Sequence, residues 1–214
     1  MNENKDVKVY KEKRFYFYVK RFIDIIASLV GLIIISPFFL IIMLLIKLDS
    51  KGPCFFIHKR VGKNGEEFGV YKFRTMVQNA EELLKTLTPE QEKEFKENFK
   101  MENDFRITRV GKILRKTSLD ELPQLLNILI GNMTLVGPRP VIKIELEKYG
   151  KYKDKLLSVT PGLTGYWQAN GRSATTYKER VKMDMYYIDN MSLFLDIKIV
   201  FQTVISVLKR EGAK

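Results

Sequence analysis

Between Ile25 and Ile46 the chain carries no charged residue, a 22-residue run dense in Ile, Leu, Phe and Val. At about 20 residues per bilayer crossing, that is long enough for a transmembrane helix. A secretory signal fits less well, because its apolar core is usually ~7–15 residues and a small-residue cleavage site should follow. A single-pass anchor is the plainest reading, but two features oppose it. Ser36-Pro37 lies in the middle of the run, where proline removes a backbone donor and kinks or breaks a helix. The flanks are basic on both sides, with Lys5, Lys8, Lys11, Lys13, Arg14, Lys20 and Arg21 ahead and Lys47, Lys51, Lys59, Arg60 and Lys63 behind. Positive charge marks the cytoplasmic side, so two basic flanks favour a hairpin that enters one leaflet and returns. The Ser36 hydroxyl can bond a carbonyl freed by the proline. This reading divides the chain into a basic segment 1–19, a re-entrant hairpin 20–48 broken at Ser36-Pro37, and a cytoplasmic domain 49–214.

The rest of the chain reads as one mixed domain. Residues 53–57 and 67–73 are apolar, strand-compatible runs around the turn-like Gly62-Lys63-Asn64-Gly65, which predicts a small β-hairpin. Residues 77–100 read as helix interrupted near Thr88-Pro89, with Thr88 as N-cap. Ser118 to Ile130 reads as a helix stopped by Gly131-Asn132, and 173–190 as a polar helix. Residues 193–210 form an amphipathic helix with Leu193, Ile197, Val200, Phe201, Val204 and Leu208 on one stripe. Such a stripe normally packs on the core, although the terminal Lys209-Arg210 would also suit a membrane surface.

Composition narrows the chemistry. One cysteine, Cys54, excludes an internal disulfide framework and a Cys-based zinc cluster, and one histidine, His58, argues against multi-His metal sites and a Ser-His-Asp triad. Both read as structural, and Trp167 and the tyrosines as packing residues. The net charge of +12 calls for a polyanionic partner, whether nucleic acid, anionic lipid or a phosphorylated metabolite. A nucleic-acid binder needs a continuous basic stripe interleaved with aromatics. Here Lys and Arg are spread along the chain among Asp and Glu, so no nucleic-acid partner is expected.

The most suggestive stretch is Arg115-Lys116-Thr117-Ser118-Leu119-Asp120-Glu121-Leu122. Ser118 and Glu121 match a capping box, which is a purely structural explanation. A functional one notes adjacent carboxylates, Asp120 and Glu121, close behind two cations, a set able to hold Mg²⁺ and phosphate oxygens. Lys72, Arg74, Arg139 and Arg172 recur in stretches punctuated by Gly and Pro, and stiffly held arginine forks suit phosphate recognition. Phosphoryl transfer needs positioning, a divalent cation and positive charge around the equatorial oxygens. From the residues alone, the chain reads as a membrane-associated enzyme acting on a phosphate ester, with a Mg²⁺-dependent lipid-phosphate hydrolase as an alternative.

Several motifs in order then carry a resemblance: Lys20-Arg21-Phe22-Ile23-Asp24, Ser36-Pro37, Tyr71-Lys72-Phe73-Arg74-Thr75-Met76, Ser118-Leu119-Asp120-Glu121-Leu122, Val136-Gly137-Pro138-Arg139-Pro140, Pro161-Gly162-Leu163-Thr164-Gly165, Asn170-Gly171-Arg172 and Asp184 to Tyr187. From about Lys20 to Arg210 the chain resembles the monotopic polyprenyl-phosphate phosphoglycosyl transferases, the small bacterial initiating sugar transferases. The resemblance implies a predominantly helical α+β fold, with the re-entrant membrane hairpin followed by one small cytoplasmic catalytic domain bearing surface amphipathic helices. It looks like a minimal version without the extra N-terminal membrane domain of larger members.

The implied reaction moves a phosphosugar from a UDP-sugar to a polyprenyl phosphate, usually undecaprenyl phosphate, with release of UMP. It would be the first membrane step of bacterial glycoconjugate or exopolysaccharide synthesis. Asp120 would be the nucleophile of a covalent, ping-pong route and a Mg²⁺ ligand, and Glu121 its proton-handling or metal-supporting partner. Lys72, Arg74, Arg115, Arg139 and Arg172 would contact phosphate or nucleotide. The implied location is the bacterial inner membrane, with lipids of one leaflet around the hairpin and the catalytic domain on the cytoplasmic face. The sugar and the downstream glycan are not legible, and a homo-oligomer stays open.

Overall fold

A computed structural model describes residues 13–98, 101, 104–171 and 175–209. It is predominantly helical, with two two-stranded sheets. Helix α1 spans Arg14–Asp49, 36 residues, as one helical element with Pro37 inside it. The expected interruption at Ser36-Pro37 is therefore absent from the backbone assignment. The physical reason is local. Pro37 cannot donate to the carbonyl of Ile33, and the Ser36 hydroxyl donates to that oxygen instead, at 2.9 Å.

One face of α1 lies along the rest of the protein for most of its length. Lys20, Asp24, Ser28, Ile42 and Ile46 are buried, with Leu32, Ile35, Phe39 and Met43 partly covered between them. This is the stripe of a helix packed lengthwise. Two of the three polar members are satisfied, whereas the buried Ser28 hydroxyl has no partner among the described residues. Lys20 pairs with Asp196 at 2.7 Å, and Asp24 accepts from the Thr134 hydroxyl at 2.6 Å and the Leu135 amide at 2.9 Å. At the far end the Asp49 carboxylate accepts from the Val110 amide at 2.9 Å. The opposite face is apolar and open, with Phe22, Ile33, Ile34, Phe38, Leu40, Leu44 and Leu48 all at least 60% exposed. A soluble monomer rarely shows so long an apolar strip to water.

After α1 comes the expected hairpin, β1 (Phe55–Val61) and β2 (Glu67–Phe73), antiparallel from Phe55↔Phe73 to Val61↔Glu67. Asn64 and Gly65 take positive φ in its turn, as that short connection requires. Helix α2 (Pro89–Asn98) begins after Thr88, whose hydroxyl accepts from the Gln91 amide. Helix α3 (Arg109–Thr117) is capped by Thr108. Helix α4 (Gln124–Ile130) ends at Gly131, φ 102°. Fully buried Asn127 sews α4 onto β2, accepting from the Tyr71 amide at 2.9 Å and donating to the Gly69 carbonyl at 2.7 Å.

Strands β3 (Thr134–Val136) and β4 (Gly162–Thr164) pair in parallel. Between them run the short helices α5 (Lys143–Leu146) and α6 (Lys153–Leu157). After a short α7 (Tyr166–Asn170), the chain closes with α8 (Tyr177–Asn190) and α9 (Leu193–Leu208). The main core gathers Val136, Tyr149, Leu156, Val181, Met185, Tyr187, Ile188 and Ile199.

Helix α9 reverses one expectation. Its inner face is Asp196, Ile199 and Ser206, whereas Ile197, Phe201 and Val204 of the expected core stripe are 51–67% exposed. Helical periodicity identifies two faces but not which one the core takes.

Candidate functional site

The site is built around a chain reversal. Helix α3 ends because Ser118 takes the left-handed conformation, φ 58°, with its amide bonded back to the carbonyls of Arg115 and Leu114. A serine there is uncommon, and such backbone strain concentrates at functional sites. Leu119–Glu121 follow as a single 3₁₀ turn, and only after Pro123 does α4 begin. This corrects the expected Ser118–Ile130 helix and its capping box, since the Ser118 side chain caps nothing. The turn brings Asp120 inward, 8% exposed.

Cations converge on this turn from three other segments. Lys72, on β2, donates to Glu121 Oε1 at 2.7 Å, and Arg139 Nη1 lies 3.6 Å from the same oxygen. Arg115, on the last turn of α3, donates through Nε to the Thr75 hydroxyl at 2.9 Å. Thr75 follows β2 and meets α3 closely. A Cβ on Gly111 would fall 2.1 Å from the Thr75 carbonyl oxygen, so only glycine lets the helix this near. Arg139 is fixed by a similar approach. The Gly137 amide donates to the Thr164 carbonyl and the Gly162 amide to the Pro138 carbonyl, both at 2.8 Å. A Cβ on Gly162 would sit 2.1 Å from the Gly137 nitrogen. Gly-Pro-Arg-Pro and Pro-Gly-Leu-Thr-Gly are thus two halves of one docking contact.

The electrostatics suit an ionisable carboxylate under control. Burial pushes Asp120 up to about 6, the negative charge of Glu121 adds to the rise, and Lys72 and Arg115 oppose it. Burial lowers Arg115 from its ordinary value, while the Asp120 charge pulls it back. Asp120 is therefore largely ionised near neutral pH, beside cations able to receive an incoming anion.

The structure brings together Lys72, Arg115, Asp120, Glu121 and Arg139 of the expected site. Arg74 goes elsewhere. Its guanidinium donates to the backbone carbonyls of Ser50, at 2.8 Å, and Lys51, and so ties the end of α1 to the hairpin. Arg172 lies outside the described residues. Ser36 and Pro37 sit within α1 and belong to the membrane question. For Mg²⁺, the described residues contain no group of three metal-ligating side chains. Asp120 and Glu121 still fit an ion that keeps its waters and takes one or two carboxylates together with substrate oxygens.

Three residues of the cluster escaped the sequence reading. Arg60 Nη1 reaches Glu145 Oε2 at 3.2 Å, and Arg60 Nη2 lies 3.4 Å from His58 Nδ1. His58 is lowered to about 4 by burial and by Arg60, Lys72 and Arg139, so it is neutral at physiological pH. The available signal was strand alternation, which puts residues 56, 58 and 60 of β1 on the same face as 68, 70 and 72 of β2.

Comparison with known proteins adds an independent line. The family profile described as bacterial sugar transferase matches residues 15–210. An undecaprenyl-phosphate galactose phosphotransferase of Salmonella typhimurium is 47% identical over 204 residues, covering 94% of this chain and 43% of that protein. The exopolysaccharide production protein ExoY of Rhizobium meliloti is 46% identical over 197 residues, 91% of this chain and 87% of its own length. A UDP-N-acetylgalactosamine-undecaprenyl-phosphate N-acetylgalactosaminephosphotransferase of Aeromonas hydrophila is 39% identical over 206 residues, 93% of this chain and 46% of that protein. The chain thus spans less than half the length of two of these relatives and most of the third.

Proposed function

The chain belongs to the bacterial sugar transferase family, and on that premise we propose that it transfers a phosphosugar from a UDP-sugar to a polyprenyl phosphate, undecaprenyl phosphate in a bacterial membrane, and releases UMP. The observation that carries this reading is the convergence of Lys72, Arg115 and Arg139 on the turn that buries Asp120 beside Glu121, in a molecule whose first helix presents an open apolar face. The names of the Salmonella and Aeromonas relatives support the acceptor and the phosphosugar transfer.

The ionised Asp120 carboxylate attacks the β-phosphorus of the donor. A P–O bond forms to Asp120, the bond to the bridging oxygen breaks, and UMP leaves with that oxygen. The polyprenyl phosphate oxygen then attacks the phosphosugar on Asp120, giving polyprenyl-diphospho-sugar and restoring the carboxylate. Lys72, Arg115 and Arg139 hold the phosphoryl oxygens as charge redistributes, and Glu121 orients Lys72 and Arg139. Mg²⁺ bound at Asp120 and Glu121 would supply further charge neutralisation on the diphosphate.

Helix α1 would seat this site on the cytoplasmic face of the inner membrane, with both its ends on that side. Its packed stripe supports this geometry, because contacts with the domain run from Lys20 to Asp49. A bilayer crossing within residues 25–46 would drag Leu125 and Phe73, which pack on α1, into hydrocarbon with their hydrogen-bonded backbone. The test is UMP release against a panel of UDP-sugars with undecaprenyl phosphate in nanodiscs, followed without acceptor by intact-protein mass spectrometry. A stoichiometric burst of UMP and a phosphosugar mass on the Asp120 peptide are expected. Turnover without any such adduct under rapid quench would overturn the covalent route, and phosphate release without sugar transfer would favour a hydrolase.

A further inference from the structure

The cation cluster has two ends. Lys72 and Arg115 are the cations acting on Asp120, whereas Arg139 and Arg60 lie beyond Glu121 and act on one another. The Val61 amide donates to the Val141 carbonyl at 2.8 Å, which pins the end of β1 against the loop that carries Arg139. Arg60 is thereby held rigidly, with its side chain 13% exposed.

The Glu145 charge counters that of Arg60, with a smaller contribution from Glu121, but the direct contacts leave part of its fork unused. Glu145 offers only Oε2, which also accepts from the Ile142 amide at 2.9 Å, and His58 is neutral with Nδ1 as the acceptor. The remaining donors of the planar fork are uncommitted by these contacts. Arg60 and Arg139 still repel one another across these carboxylates, which an added anion would relieve, and a fixed arginine pair is suited to phosphate.

We infer that Arg60 and Arg139 form a second phosphoryl subsite, which holds the phosphate that departs with the nucleotide while Lys72 and Arg115 flank the one attacked by Asp120. Neutral His58 orients Arg60 without adding a charge. This inference deepens the proposed activity and rests on its diphosphate donor. It also makes Arg60 a binding residue of the site rather than a strut between β1 and α5.

The experiment measures pyrophosphate binding to the full chain in nanodiscs, through protection against thermal unfolding, with and without polyprenyl phosphate in the bilayer. Arg60→Gln should weaken pyrophosphate binding at least about tenfold, the worth of one charge-assisted contact. Glu145→Gln breaks the same ion pair yet leaves the cation, so binding should hold or tighten. Should Arg60→Gln fold poorly, Arg60→Lys keeps the charge and loses the fork, with a severalfold loss expected. Equal weakening by the Arg60 and Glu145 variants would mark a structural ion pair and overturn the subsite. A loss confined to polyprenyl phosphate would overturn its assignment to the donor. Pyrophosphate binding requires no turnover, so Arg60-dependent binding beside inactivity with every UDP-sugar would reject the proposed activity and leave the subsite standing.

Discussion

Two buried aspartates sit in contrasting surroundings. Asp120 and Asp184 are both pushed up chiefly by burial, to about 6 and about 7. Asp184, on α8, is 0% exposed and accepts a hydrogen bond from the Tyr149 hydroxyl at 2.8 Å, while its other oxygen has no partner among the described residues. Asp120 rests on a strained turn with cations arriving from β2, α3 and the Gly-Pro-Arg-Pro loop. A raised carboxylate therefore does not by itself identify a reactive one. The distinction lies in what faces it, several converging cations around Asp120, or around Asp184 a phenol in the core with Arg180 acting as a lesser influence.

The sharpest way to break this contrast is exchange to the amide. Asp120→Asn should retain its fold and lose activity by several orders of magnitude, because an amide cannot supply the attacking oxygen. Near-normal turnover would remove Asp120 as nucleophile. Wild-type kcat/KM should also rise with pH through about 6, as the carboxylate ionises.

Next in size come the cations that converge on the Asp120 turn. Arg115→Ala or Arg139→Ala should each lower catalytic efficiency at least about tenfold, from a loss of roughly 1.5–3 kcal/mol per charged contact. If both variants keep the wild-type rate, the anion site lies elsewhere. Arg74→Ala should change efficiency only a few-fold while lowering the melting temperature, because its guanidinium holds the end of α1. A large kinetic defect without a thermal one would return Arg74 to the site.

The smallest activity change is expected at Asp184→Asn, whose signature is thermodynamic. An acid whose folded value lies above its unfolded one binds more protons when folded. Stability is thus lost as pH rises from about 4 to about 7 and is flat beyond, with a full cost of about 4 kcal/mol. The amide has no such ionisation, so Asp184→Asn should flatten the melting profile over that range and leave turnover close to wild type. An unchanged profile would place the ionisation elsewhere.

Legibility from sequence followed the locality of the signal. The β1–β2 hairpin could be read because Gly62-Lys63-Asn64-Gly65 dictates its own turn. The Asp120 turn was misread as a helix start because Ser118-x-x-Glu121 spells a capping box, whereas Ser118 is the left-handed C-cap of the preceding helix. Arg139 was found through its Gly-Pro-Arg-Pro loop, and Lys72 through the Tyr-Lys-Phe-Arg-Thr-Met stretch, whose first three residues end β2. Arg60 was missed because its placement depends on a β-bridge from its neighbour Val61 to Val141, 80 positions further along the chain.

The lengthwise seat of α1 has a kinetic consequence. A domain on a loose leash samples a volume above its membrane, and its effective concentration at the surface falls as the leash lengthens. Here the connection after Asp49 is short and clamped by Arg74. With α1 embedded in a bilayer, the catalytic turn would travel at constant height, and its meeting with a lipid substrate would be a search in two dimensions. Turnover should then follow the mole fraction of acceptor within the bilayer rather than its bulk amount. Adding inert lipid at a fixed quantity of polyprenyl phosphate should slow the enzyme by surface dilution.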